Sequence, residues 1–216
     1  MDKQLLWIIN ELDRLDIYYW CDSGTLLGLV RNGKLIEGDN DIDIVILSKD
    51  IGKMDKLVSK LKNNGQTYTL SNKGNIFKYK FDLKELGNRK IDVNVFRKKN
   101  GYMWCPQPIS SEGSRIRRIS YRLINLVTSR IYQLGLLKNK EFSKFPWNYT
   151  HKFTYWCVDK KYFDNVQVLN LGNYTVKIPF DVKGYLYGRY GDWKVPNPDW
   201  NFQKDDGMLA NELPKK

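Results

Sequence analysis

Asp41 and Asp43 stand at alternate positions in the run Asp41-Ile42-Asp43-Ile44-Val45-Ile46-Leu47, and no other stretch of the 216-residue chain narrows its folding options as much. The Ile/Val content reads as a strand buried on at least one face. Side chains at i and i+2 of a strand share a face, so the two carboxylates converge, roughly 7 Å apart at their Cα atoms. Aspartate inside such a run is disfavoured unless something compensates it. Two carboxylates at this separation can hold a divalent cation beside a phosphate.

The elements around this strand follow from periodicity and turn chemistry. Residues 2–15 carry Leu5, Leu6, Ile8, Ile9, Leu12 and Leu15 in one helical stripe. A short aromatic strand is expected over 17–20. Asp22 and Ser23 are N-cap candidates for a helix running through Leu26, Leu27, Leu29 and Val30, stopped by the turn Asn32-Gly33. A further helix is predicted from Asp50 to Leu61. Thr67–Leu70, Ile76–Asp82 and Lys90–Arg97 predict an antiparallel meander, the middle strand alternating Phe77, Tyr79, Phe81 against Lys78, Lys80, Asp82. In the last strand Ile91, Val93 and Val95 share one face and leave Asp92 and Asn94 on the other. Pro106 and Pro108 are expected to end this half. A long helix over Arg115–Leu137, a hairpin over 166–178 and a closing Tyr185–Trp193 segment complete the reading.

The expected fold class is therefore α/β (α+β): a small mixed sheet flanked by helices, followed by a helical and aromatic portion. Its expected divisions are residues 1–105 for the core, 106–203 for the portion packed on it, and a polar tail over 204–216.

Composition removes several classes of function. Cys21, Cys105 and Cys157 are odd in number and form no CxxC, which argues against a disulfide framework or a zinc knuckle. A site joining Cys105, His151 and Cys157 stays open, with buried free thiols as the plainer account. No stretch approaches the about 20 apolar residues of a membrane span, and no signal-peptide pattern is present, so a cytoplasmic location is expected. Lys and Arg outnumber Asp and Glu by 36 to 24, for a net charge of +12, which favours anionic partners. Arg115, Arg117, Arg118, Arg122 and Arg130 fall on one predicted helix, either as a solvated face or as a grip for an anionic glycan or membrane surface.

Asp92 is expected beside Asp41 and Asp43, making a three-carboxylate cage for Mg²⁺ (or Mn²⁺). Ser23, Gly24 and Thr25 would offer backbone N–H groups and hydroxyls to a phosphate at a helix start. Arg31 is placed to bridge phosphate oxygens.

Trp20-Cys21-Asp22-Ser23-Gly24-Thr25-Leu26-Leu27-Gly28-Leu29-Val30-Arg31, then Ile36, then Asp39-Asn40-Asp41-Ile42-Asp43-Ile44, resembles the signature of the LicD family, related to fukutin and fukutin-related protein. Tyr185-Leu186-Tyr187-Gly188-Arg189-Tyr190-Gly191-Asp192-Trp193-Lys194-Val195-Pro196 is similar to that family's closing element. Glu37-Gly38 departs from the usual Pro-Trp, Asn40 replaces the middle acid, and Asn32 stands where His is frequent; Asp39, Asp41 and Asp43 remain.

The resemblance implies a nucleotidyltransferase-like fold and transfer of a phospho-alcohol from a CDP-activated donor to a sugar hydroxyl. Phosphocholine, phosphoethanolamine or a polyol phosphate would be moved to a cell-surface glycan such as lipopolysaccharide or teichoic acid, and CMP released. It also implies Asp39 as a further metal ligand, Gly28, Asp192 and Trp193 as donor-side residues, and Asp92 as metal ligand or proton acceptor. A lipid-linked acceptor would bring the protein to the inner face of an anionic membrane. Two rivals remain at this level: a nucleotidyltransferase attaching NMP from an NTP, and a basic nucleic-acid-binding module, which the acidic cluster disfavours.

Overall fold

Helix α1 forms over Lys3–Arg14 because Asp2 caps it: the Asp2 Oδ1 accepts from the backbone N–H of Gln4 at 2.9 Å and of Leu5 at 3.1 Å. Its stripe of Leu5, Ile8, Ile9 and Leu12 is buried in the core, each side chain contributing about 1.5–3 kcal/mol. The computed structural model describes residues 2–63, 67–72, 76–108 and 153–213. After α1 come β1 (Tyr19–Cys21), α2 (Ser23–Asn32), β2 (Asp41–Leu47), α3 (Ile51–Asn63), β3 (Thr67–Asn72), β4 (Ile76–Asp82), β5 (Lys90–Lys99) and β6 (Tyr102–Pro108). The remaining elements are β7 (Phe153–Asp159), β8 (Val166–Asn170), β9 (Thr175–Pro179), α4 (Val182–Tyr190), α5 (Phe202–Asp205) and β10 (Leu209–Ala210).

The main sheet is mixed, in the order β1-β2-β5-β6-β7-β10, with the β3–β4 pair attached to β5. Its centre is the parallel pair β2 and β5, in which Ile42, Ile44 and Ile46 lie opposite Ile91, Val93 and Val95. These six residues are fully buried and make one face of the sheet. The other face carries Asp43 opposite Asp92 and Val45 opposite Asn94. The predicted meander is present: β3 pairs antiparallel with β4, and β4 with the first part of β5.

The expected break at Pro106 does not occur. β5 runs on past the end of β4, and its last residues, Arg97 to Lys99, pair with β6, which carries Pro106 and pairs in turn with β7. The sheet thus continues across the boundary drawn at 105/106. Among the described residues the C-terminal portion is mostly strand, with two short helices. The helix expected over Arg115–Leu137, with its five arginines, lies outside the described residues, as does His151. Cys105 faces Trp156 across the β6–β7 ladder while Trp104 faces Cys157, so the two thiols point to opposite faces. The hairpin expected over 166–178 forms as β8 and β9.

The polar tail also needs correction. Asp206 is buried, and Leu209–Ala210 pair with β7. A short polar run gives no periodic signal, and its docking depends on partners far away in the chain.

Candidate active site

Two hydrogen bonds tie the start of α2 to Asp43. The Asp22 backbone N–H donates to the Asp43 carbonyl at 3.0 Å, and the Asp43 N–H donates to the Thr25 hydroxyl at 2.9 Å. Thr25 is buried and does not line the cleft described below. It positions the strand rather than meeting a phosphate, a correction to its expected role.

Gly24 and Gly28 are one helical turn apart and face the loop over 34–39. A Cβ on Gly28 would lie 2.7 Å from the Lys34 carbonyl and 2.8 Å from the Ile36 N–H nitrogen; one on Gly24 would lie 2.5 Å from the Asp39 Oδ2. Gly28 therefore admits a backbone and stays out of the cleft, while Gly24 admits the Asp39 carboxylate against the first turn of α2, a favourable place for negative charge. Gly28→Ala is expected to cost about 1–3 kcal/mol through forced backbone displacement, measurable by urea unfolding. Gly38 in the same loop has φ +81, a conformation natural to glycine.

A cleft of about 1190 Å³ opens above this junction, lined by Ser23, Gly24, Arg31, Asp39, Asp41, Asp43 and Asp92, and closed from the C-terminal side by Asp192 and Trp193. Of the eleven residues expected at the site, nine line this cleft, and Thr25 and Gly28 stand off its wall. Arg31 Nη1 reaches the Trp193 carbonyl at 3.4 Å, joining α2 to the closing segment.

The carboxylates differ in their surroundings. Asp41 is pushed up to about 6 by burial, then by Asp39, which also hydrogen-bonds it, and by Asp92. Asp43, deep below the surface with its tip open to the cleft, is raised well above the carboxylate range, chiefly by burial; Lys78 opposes the shift and Asp41 adds to it. Asp92 goes the other way. Burial opposes its ionisation, but Lys78 and Lys80 outweigh that and hold it below the usual value. Both ammonium groups contact the same Asp92 oxygen, Oδ2, at 2.9 and 2.8 Å.

The expected three-carboxylate cage is therefore altered. Asp92 lies next to Asp43 in register, yet its charge is already countered by two lysines. Among the described residues no three His, Cys, Asp or Glu side chains gather closely enough to hold a metal ion by themselves. Asp41 and Asp43 remain as a pair whose burial Lys78 only partly offsets, and two carboxylates completed by phosphate oxygens and waters are a usual set for Mg²⁺. On donor chemistry and charge the pair fits a hard divalent cation.

Several cleft residues were missed in the sequence. Lys78 was visible as the polar half of an alternating strand, but nothing local said that this face meets carboxylates. Arg189 is more telling. It is buried, with Nη2 2.6 Å from Asp206 and Nη1 3.1 Å from both Asp22 and the Ser23 hydroxyl. The Tyr185 hydroxyl donates to the same Asp22 oxygen at 2.6 Å. Asp22 is thus not a side-chain cap of α2 but one pole of a buried ion network. Trp200 was not missed among the C-terminal aromatic residues; stacked at a tilt on Tyr190 with centroids 4.6 Å apart, it lines the cleft alongside Trp193.

Fold and site together define a mixed α/β domain in which strand-borne aspartates face a glycine-containing helix start. Residues 16–121 match the model of the family described as LicD/FKTN/FKRP, nucleotidyltransferase domain. The closing segment around Asp192 lies beyond the matched region and reaches the cleft through tertiary structure. The human protein "Ribitol 5-phosphate transferase FKRP" is 26% identical over 102 residues, 45% of this chain and 20% of that one. The chain thus spans about a fifth of the length of that relative. "Uncharacterized protein RP689" of Rickettsia prowazekii (strain Madrid E) is 36% identical over 76 residues, 35% of this chain and 29% of that protein. Among solved structures, the lincomycin-bound lincosamide antibiotic adenylyltransferase LnuA aligns over 83% of this chain and 80% of its own, at 13% identity and a TM-score of 0.45. Among the described residues no helix is long and apolar enough to cross a membrane.

Proposed function

We propose that the chain is a transferase moving a phospho-alcohol group, such as phosphocholine, phosphoethanolamine or a polyol phosphate, from a CDP-activated donor to a sugar hydroxyl of a glycan, with release of CMP. The observation that carries this reading is the pair Asp41 and Asp43 lining the cleft, with Asp43 pinned to the start of α2. The family match and the activity for which the human relative is named support the class of group transferred.

Asp41 and Asp43 would hold the cation, with Asp39 beside Asp41 as a further oxygen donor. When bound, Mg²⁺ neutralises diphosphate charge and steadies the departing oxygen. Ser23 and Gly24 at the first turn of α2 orient phosphate oxygens. Trp193 and Trp200 give apolar faces for a base or a sugar ring. Asp92 is a poor proton acceptor, being held acidic by two ammonium groups, so its part is orientation rather than general base. The protein would act on donor and acceptor as small or lipid-linked molecules, with any membrane contact peripheral.

The test is to incubate the protein with CDP-choline, CDP-ethanolamine, CDP-glycerol and CDP-ribitol plus Mg²⁺ and to follow CMP. Release is expected with one of them, and activity surviving Asp41→Ala would refute the assignment. Pyrophosphate formed from an NTP, in place of CMP, would identify a nucleotidyltransferase instead.

A further inference from the structure

We propose that Lys78 is the residue that grips the diphosphate of the donor, and that Asp92 parks its ammonium group until that diphosphate arrives. The inference rests on the phosphotransfer reading above.

Lys78 and Lys80 lie on the same face of β4. Lys80 is directly opposite Asp92 in the ladder, whereas Lys78 is opposite Asn94 and leans along the strand to reach the same Asp92 Oδ2. A carboxylate offers two oxygens with several acceptor positions. Here one oxygen takes two cations while the buried Oδ1 has no hydrogen-bond partner. Lys80 holds the same oxygen, so Asp92 keeps a cationic partner when Lys78 moves away.

The two lysines also differ in where they sit. The Lys80 side chain is 42% exposed and stays off the cleft wall; that of Lys78 is 15% exposed and lines the cleft beside Asp41 and Asp43. The other cations of the cleft have fixed tasks. Arg189 is locked between Asp22 and Asp206, and Arg31 holds the Trp193 carbonyl. Lys78 is a flexible point charge held by an acid that already has a second partner. Such a lysine suits a phosphate, and its four-carbon stem lets the ammonium shift without backbone movement.

Inorganic pyrophosphate serves as the probe, titrated by calorimetry in the presence of Mn²⁺, with Mn²⁺ binding alone followed by electron paramagnetic resonance. Lys78→Met is expected to weaken pyrophosphate binding at least tenfold and to leave Mn²⁺ binding unchanged or tighter. Lys80→Met should change pyrophosphate binding by less than twofold. In the unsubstituted protein, the ammonium resonance of Lys78 should shift on pyrophosphate addition and that of Lys80 should not, a readout that stands even if Lys78→Met fails to fold. Pyrophosphate binding equal to that of the parent, a matched loss of Mn²⁺, or a silent Lys78 resonance would each overturn the proposal. A parent protein that binds neither Mn²⁺ nor pyrophosphate would overturn the phosphotransfer reading with it.

Discussion

Asp43→Asn is expected to abolish transfer and, in the same molecule, to raise the melting temperature of the metal-free protein. On the proposed function, loss of a carboxylate that would hold the cation should lower kcat on the order of 10²–10³-fold. The gain in stability follows from charge. Asp43 is raised well above the usual carboxylate range, first by burial and then by Asp41, and Asp41 itself is pushed up to about 6. The native state therefore binds protons more tightly than the unfolded chain. Stability is highest where both groups are protonated and falls as pH rises from about 4 through 6 and beyond. Asn carries the shape without the charge. Discounted for the partial exposure of Asp41, relief of this pair is worth about 1–2 kcal/mol, or about 2–6 °C for a chain of this size. Asp92 and Glu11, both lowered, contribute in the opposite sense but lose their stabilisation only below the ordinary carboxylate range. Melting curves in EDTA from pH 5 to 8 should converge at the acid end and separate at the alkaline end, with the variant above the parent. Added Mg²⁺ should raise the parent and not the variant. A variant that melts below the parent at pH 8 in EDTA would show that Asp43 is not under electrostatic load.

Arg189→Met should have the opposite consequence, a loss of about 3–5 kcal/mol, because it leaves buried charge without a partner. Asp22 and Asp206 are both buried, and Arg189 is the cation that each contacts. Its guanidinium also lies over the Trp156 ring, 4.7 Å from the centroid, so packing is lost as well. The damage should travel to the site. Arg189 donates to the Ser23 hydroxyl, Ser23 sits at the unusual φ of 49°, and the neighbouring Asp22 N–H holds Asp43. Urea unfolding gives the stability change. Asp206→Asn should cost less than Arg189→Met, since Asp22 still pairs with the arginine. Equal stability of parent and Arg189→Met would mean the network carries no net energy.

The role of Arg189 explains why a polar C-terminal run is ordered. A Cβ on Gly207 would lie 2.2 Å from the Gly188 carbonyl. The close approach of these two glycines brings Asp206 to the arginine. No property of residues 204–216 read alone announces that contact.

What the chain's residues determined unaided is local. Alternation put Asp41 and Asp43 on one side of a strand, the spacing of Gly24 and Gly28 put both on one side of a helix, and turn residues delimited the β3–β5 meander. Each depends on neighbours within a few positions, where backbone geometry dictates direction. Tertiary structure decided the rest. The parallel pairing of β2 with β5, across an intervening helix and two strands, set Asp92 beside Asp43. The β4 register delivered Lys78 and Lys80 to Asp92 and so converted an expected metal ligand into a counter-ion. Docking of α4 and the 202–210 segment closed the cleft with Asp192, Trp193 and Trp200. Periodicity tells which way a side chain points, but what it meets there depends on contacts between distant segments, whose choice is made by the packing of the whole sheet.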